Sequence, residues 1–497
     1  MLGMPGFKPD GAPNRSERAF ATPIPAFALL LSVVALPAAA QNFSLLHTFA
    51  PGGFKNLNTF TNADGVQPTG GLVLSGGTLY GVANLGGSGG AGTVFAINTN
   101  GSGVAVLHHF TAVDLSAQTN IDGANPSAGL LLVGGKLYGT AYTGGTAADG
   151  ALFSLNTDGT GFTNLYSFTA VNPSTGANND GANPSAALRL AGGKLYGTTY
   201  YGGSKGSGVV FSFNTNGTGG ISVLHHFSAV DGAGANSDGA NPSAQLLLSG
   251  TTLYGTTVSG GNNGQGVVFA INTNGSGFSV LHHFDDVGAY PTAGLVLSGG
   301  TLYGLGGSNL FALNTNGTGF TNLHQFSTSV GDSPAIPGLS LSSGTLSGAA
   351  PSAGFFGAGS MFSLNTNGSR FADLYDFADV SYLAYPPTNS GGAFPNGGLI
   401  LLNGLLYGTT SQGGSSGSGV LFTVAPSPLV LFARVSGATF LLSFQTASGL
   451  SYTVQQKTNL SAANWITFTN FIGNGSLTQF TKPTANPERL FFRLRQP

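Results

Sequence analysis

The chain has 497 residues, a formal net charge of -2, 6% charged and 41% hydrophobic residues, 82 glycines and no cysteine. High apolar content with little charge excludes ordinary disorder, and the near-neutral balance excludes the clustered Lys and Arg that nucleic acid requires. Without cysteine there is no disulfide framework, thiol nucleophile or Cys-ligated metal.

Lys8, Arg15 and Arg18 precede the apolar run Ala26 to Leu36, and Ala38, Ala39 and Ala40 follow. A basic segment, a short apolar run and a small-residue site predict a secretory signal peptide over 1–40. Translation could also begin at Met4. The mature protein is then expected outside the cytoplasm, extracellular, at the cell surface or in the periplasm. No later segment is apolar for the ~18 residues a membrane span needs.

From residue 41 to 425 the chain repeats itself. Leu-Tyr-Gly recurs at Tyr80, Tyr138, Tyr196, Tyr254, Tyr303 and Tyr407, with Ser347 in a decayed copy, and the first three steps are 58 residues each. The third unit shows four short segments, Ala187 to Leu190, Lys194 to Thr199, Gly208 to Asn214 and Ile221 to Phe227, bounded by Gly-Gly or Asn-Thr-Asn-Gly turns. Four short strands per unit predict a propeller blade. In the third strand large residues such as Phe153 and Leu155 flank a small one, Ser154, so a bulky face is expected to meet the small face of the next blade. The phrase Leu-x-x-Phe of the fourth strand occurs in six units, and Leu46 to Phe49 supplies the seventh ahead of the first unit. The prediction is an all-β fold: a seven-bladed β-propeller of four-stranded blades, in which Ser44 to Phe49 completes the last sheet against Val420 to Val424.

The Asp-Gly-x-x-Pro loop, the L-Y-G-T-T strand, the Gly-Gly turn and the G-x-V-F strand together resemble the GloVer tandem-repeat family of secreted bacterial proteins, and more distantly kelch repeats. The resemblance covers roughly residues 43 to 425 and implies a secreted propeller with no established reaction. Residues 426–428 then read as a linker. Strand-like runs at Leu429 to Val435, Thr439 to Phe444, Tyr452 to Gln456, Trp465 to Phe468 and Leu490 to Leu494 predict a small C-terminal β-sandwich-like domain over 429–497. Its Ser451 to Gln455, Trp465 and Phe491 to Leu494 resemble a fibronectin-III-like module.

Candidate site residues fall on one rim. Asp64, Asp122, Asp180 and Asp238 recur every 58 residues, each before a glycine. With Asn62, Asn120, Asn125, Asn183 and Asn241 they could ligate Ca²⁺, which takes six to eight oxygens. The commoner role of Asp-Gly is to shape its own turn, and no other cofactor is expected. All eight histidines lie in the fourth-strand phrases, where packing is favoured over metal binding. Tyr142, Tyr200, Tyr201, Tyr290, Tyr382 and Tyr385 fall in or beside the same loops and suit contact with a glycan or peptide. No paired acid and base or nucleophile elbow stands out, so an enzyme is disfavoured. The expected function is a monomeric, exported, non-catalytic propeller binding or scaffolding an extracellular polysaccharide or protein. The alternatives are a carbohydrate-active lyase or hydrolase on this scaffold and a cell-surface structural protein.

Overall fold

The computed structural model describes residues 43–56, 59–285, 289–326, 338–354, 356–381, 387–424, 430–436, 439–445, 451–457, 466–472, 477–483 and 491–495. The expected signal peptide and linker lie outside them. All regular structure among the described residues is β.

Seven antiparallel sheets form the propeller. In blade three the strands run Arg189–Ala191, Lys194–Thr199, Val209–Asn214 and Ile221–His226, in spatial order from the innermost to the outermost. Blade six, despite its lost tyrosine, keeps all four strands, from Ser340–Ser342 to Ala372–Asp376. The last sheet takes its outer strand from the other end of the chain. Phe43–Thr48 lies antiparallel to Val420–Val424, with Phe43 opposite Val424, Thr48 opposite Val420 and a bulge between Leu45 and His47. This is the predicted closure, and it leaves no half-finished sheet edge in that blade.

The alternation along the third strand explains how blades stack. Tyr138 and Leu152 of blade two bury against Leu195, Phe211 and Phe213 of blade three, and Tyr196 and Val210 of blade three bury against Leu253, Phe269 and Ile271 of blade four. Equivalent clusters fill all seven seams, including the closing one, where Tyr407 and Leu421 meet Leu79, Phe95 and Ile97. Each phenylalanine so buried contributes roughly 1.5–3 kcal/mol. The hydrophobic content is thus spread over seams rather than gathered in one core.

The glycine of Leu-Tyr-Gly has a steric cause. A Cβ on Gly197 would meet Phe211 Cζ at 2.6 Å and Leu188 Cδ2 at 3.0 Å, so the phenylalanine ring lies flat across the strand only because that side chain is absent.

Two features lie outside the sequence expectation. A hairpin, Gly53–Asn56 with Thr59–Thr61, sits between the closing strand and blade one. In the C-terminal segment the five expected strands occur, together with a sixth, Leu477–Pro483, and they form two three-stranded sheets.

Candidate ligand-binding rim

The loop that enters each blade and the loop between its second and third strands are tied together by one asparagine. Asn178 Oδ1 accepts the backbone N–H of Gly181 at 2.9 Å and of Gly203 at 2.7 Å, while its Nδ2 donates to the carbonyls of Thr169 at 2.7 Å and Gly181 at 2.8 Å. Asn62, Asn120, Asn236 and Asn389 make the same four bonds in their own loops. An amide is the side chain that supplies two donors and a two-lone-pair acceptor at one point. Sequence reasoning named Asn62 and Asn120 as possible calcium ligands and passed over Asn178, Asn236 and Asn389. The signal was an Asn three residues before each loop glycine.

The four aspartates turn inward. Asp122, Asp180 and Asp238 are 4%, 6% and 8% exposed. Asp122 accepts from His108 Nε2 at 2.9 Å, from the N–H of Thr111 and from the Thr111 hydroxyl. Asp238 accepts from His225 Nε2 at 3.0 Å and from Ser228, and Asp64 from His47 Nε2 at 2.8 Å and the N–H of Ala50. With a carboxylate as acceptor, Nε2 carries the proton. Blade two replaces histidine by Tyr166, whose hydroxyl donates to Asp180 at 2.7 Å, so the donor persists although the residue changes. This bond and burial push the Tyr166 hydroxyl far above its ordinary pKa, burial contributing most.

Fourth-strand histidines also bridge seams. His108 stacks on Phe162 with ring centroids 3.6 Å apart, and His225, His282 and His324 stack on Phe278, Phe320 and Phe371 at 3.7, 3.7 and 3.8 Å. At the seam between blades six and seven Tyr375 stacks on Phe43 at 4.4 Å. Among the described residues no three His, Asp or Glu side chains gather at one point.

Asn125, Asn183 and Asn241 hold φ of 56°, 57° and 58°. Asparagine tolerates that left-handed region better than most residues. Their N–H groups donate to Ala91, Asp149 and Ser207 of the preceding blade at 2.8 Å. These three asparagines are therefore committed to joining blades.

The tyrosines differ from this repeated framework because they belong to particular blades. Tyr142 and Tyr200 follow the second strands of blades two and three, where blade four has Val258 and blade one Asn84. Tyr200 and Tyr201 pack edge to face at 4.6 Å. Burial, followed by smaller electrostatic contributions from Tyr201 and Tyr200, raises the pKa of the Tyr142 hydroxyl. Tyr201 remains 46% exposed, so its pair with Tyr200 has a wetted edge. Tyr290 is 47% exposed with φ of 24°, at the pre-proline position of blade five, and stands apart from this trio in the repeat. Tyr382 and Tyr385 lie outside the described residues. Asp149, which the sequence reading passed over, accepts the N–H of Val171 at 2.8 Å, and burial with a smaller push from Asp180 raises its pKa.

Two adjoining stretches, residues 39–179 and 175–310, match the family model described as the Gloeobacter/Verrucomicrobia repeat, and together they span more than half of the chain. The chain belongs to this family. In this Gloeobacter/Verrucomicrobia repeat protein the matched part ends within blade five, yet the asparagine tie recurs at Asn389 in blade seven. No curated protein matches the chain. Among solved structures it is similar to a chain of the crystal structure of a nidogen/laminin complex, at 16% identity and a TM-score of 0.34, over 55% of this chain and 90% of that one.

Proposed function

We propose that this propeller is a non-catalytic, exported binding or scaffolding module that receives an extracellular polysaccharide or protein on the rim bearing Tyr142, Tyr200 and Tyr201. One observation carries the reading: on a rim whose Asn and Asp side chains are spent on the loops' own hydrogen bonds, Tyr200 and Tyr201 pack edge to face with an exposed edge, and Tyr142 holds the position equivalent to Tyr200 in the preceding blade. A flat apolar ring with a polar tip suits sugar faces and peptide groups alike. The C-terminal segment, which carries six Lys and Arg against one Glu over 427–497, would serve for attachment or sorting, in keeping with its resemblance to a fibronectin-III-like module. Binding of the full chain to arrayed glycans and to envelope polysaccharide tests this. Retention lost in Tyr200→Ala/Tyr201→Ala supports the reading, and retention unchanged in that variant overturns it.

A carbohydrate-active enzyme has one feature in its favour, two rim carboxyl groups in unlike surroundings, Asp149 bonded to the N–H of Val171 and Asp180 to Tyr166 and Thr169, since unlike carboxyl groups are what acid and base roles require. Release of shorter chains from a polysaccharide, abolished by Asp149→Asn, would replace the first reading with this one.

A further inference from the structure

Two neighbouring blades place long polar side chains at their innermost strands. Where blades one, two, four, five and seven carry Val73, Leu131, Leu247, Val296 and Ile400 and blade six the small Ser340, blade three has Arg189. One residue ahead of the equivalent leucines, where other blades have Gly71, Gly129, Ala187, Gly294, Gly338 and Gly398, blade four has Gln245. The two departures face each other. Arg189 Nε donates to the carbonyl of Leu246 in blade four at 2.9 Å, and Gln245 Nε2 donates to the carbonyl of Leu188 in blade three at 3.3 Å.

The crossing leaves donors over. Arg189 is opposite Tyr196 in the antiparallel ladder and so shares its face, which looks toward blade four because the Tyr196 hydroxyl donates to Thr273 there. Thr198 is on that face too, 1% exposed, and its hydroxyl oxygen has no partner among the described residues. Only Nε of the Arg189 guanidinium is bonded to a described residue, and no described carboxylate lies within ion-pair distance. Burial alone lowers the Arg189 pKa, with no acidic neighbour opposing it. A half-buried guanidinium without a counter-charge is costly, and its planar fork is matched to oxyanions.

We propose that Arg189 and Gln245, crossed between blades three and four, form an oxyanion site on the innermost strands that takes a carboxylate, phosphate or sulfate group. The two side chains bind to main-chain carbonyls of each other's blade, which fixes the guanidinium in place before a ligand arrives. The guanidinium nitrogens beyond Nε then supply charge-assisted donors. The site is independent of the rim tyrosines.

Calorimetry and thermal unfolding of the full chain, titrated with inorganic phosphate, sulfate or galacturonate at constant ionic strength, test it. The expected result is saturable binding and a rise in Tm with at least one probe. Galacturonate binding alone would mark the ligand as an acidic sugar, and phosphate or sulfate binding would mark a free or esterified anion. Arg189→Leu restores the residue of blades two and four; it should fold and weaken binding about tenfold or more. Arg189→Met gives the same reading should the leucine variant not fold. Gln245→Gly should weaken binding less, and Tyr201→Ala should leave it unchanged. Absence of saturable binding by all three probes, or equal binding by wild type and Arg189→Leu, overturns the proposal.

Discussion

Ser44 stands opposite Thr423, so that a residue from the start of the chain and one from the end of the ring are direct cross-strand partners. The same junction is tied again where Gln67 N–H donates to the carbonyl of Ser418 at 3.0 Å, and where a Cβ on Gly419 would meet Pro68 Cδ at 2.7 Å. Because the chain has no cysteine of its own, Ser44→Cys/Thr423→Cys gives an unambiguous test. A disulfide should form on oxidation and stabilise by up to about 6 kcal/mol in the chain-entropy picture for so long a loop. Faster migration on a non-reducing gel and a raised Tm are expected. Two free thiols after oxidation would mean that the strands are not paired.

Gly197→Ala should destabilise by about 1–3 kcal/mol, since the new methyl has to displace the Phe211 ring or the strand beneath it. Chemical denaturation reads the loss. A midpoint equal to wild type would show that the ring does not lie across the strand.

Asn178→Ala removes four hydrogen bonds and leaves two N–H groups and two carbonyls of the rim loops without their partner. A cost of about 2–4 kcal/mol follows. Asn178→Asp should cost a similar amount, because a carboxylate keeps the acceptor but faces the two carbonyls without a proton to give. Hydrogen exchange at Gly181 and Gly203 would report the opened loop directly. Unaltered protection there in both variants would remove the asparagine from its role.

The order of the ring and the composition of the blades were legible in the sequence because both are periodic. Phe153, Ser154 and Leu155 alternate with the period of a strand, and Leu46 to Phe49 is recognisably the fourth-strand phrase lying before its first unit. Contacts between neighbouring units were not legible in the same way. Repetition identifies His108, His225 and His282 as equivalent positions, but not that each stacks on Phe162, Phe278 or Phe320 of the next blade. Asn178 reaches Gly203, 25 residues on, through a loop whose course no local pattern records. The aspartates read in the sequence as turn formers or as calcium ligands, and their spacing does not record their partners: each is bonded to the outer strand before it and to the start of the loop that carries it. Tyr142, Tyr200 and Tyr201 were legible as aromatics in or beside the rim loops, whereas Arg189 and Gln245 stand out only when their positions are compared across the blades.

His109 and His226 use Nδ1 as an acceptor, for the N–H of Ser88 at 3.2 Å and of Ser204 at 3.1 Å. Burial, with a smaller contribution from the adjacent His108 or His225, lowers both pKa values in the folded state. Below the unfolded value of 6.5 the unfolded chain then binds protons that the folded chain does not, so their contribution is lost as pH falls from about 6.5 through the lowered folded values. Tm should drop across that window. His226→Ser, the residue blade two uses at Ser167, should make the drop shallower. A variant as acid-sensitive as wild type would contradict this.

The most direct test of the functional account is titration of the full chain with the polysaccharide or protein that it retains, comparing wild type with Tyr142→Ala/Tyr200→Ala/Tyr201→Ala. Loss of these anchors should weaken binding by about tenfold or more while Tm stays near that of wild type. Equal affinity in a folded triple variant would place the ligand elsewhere and contradict the account.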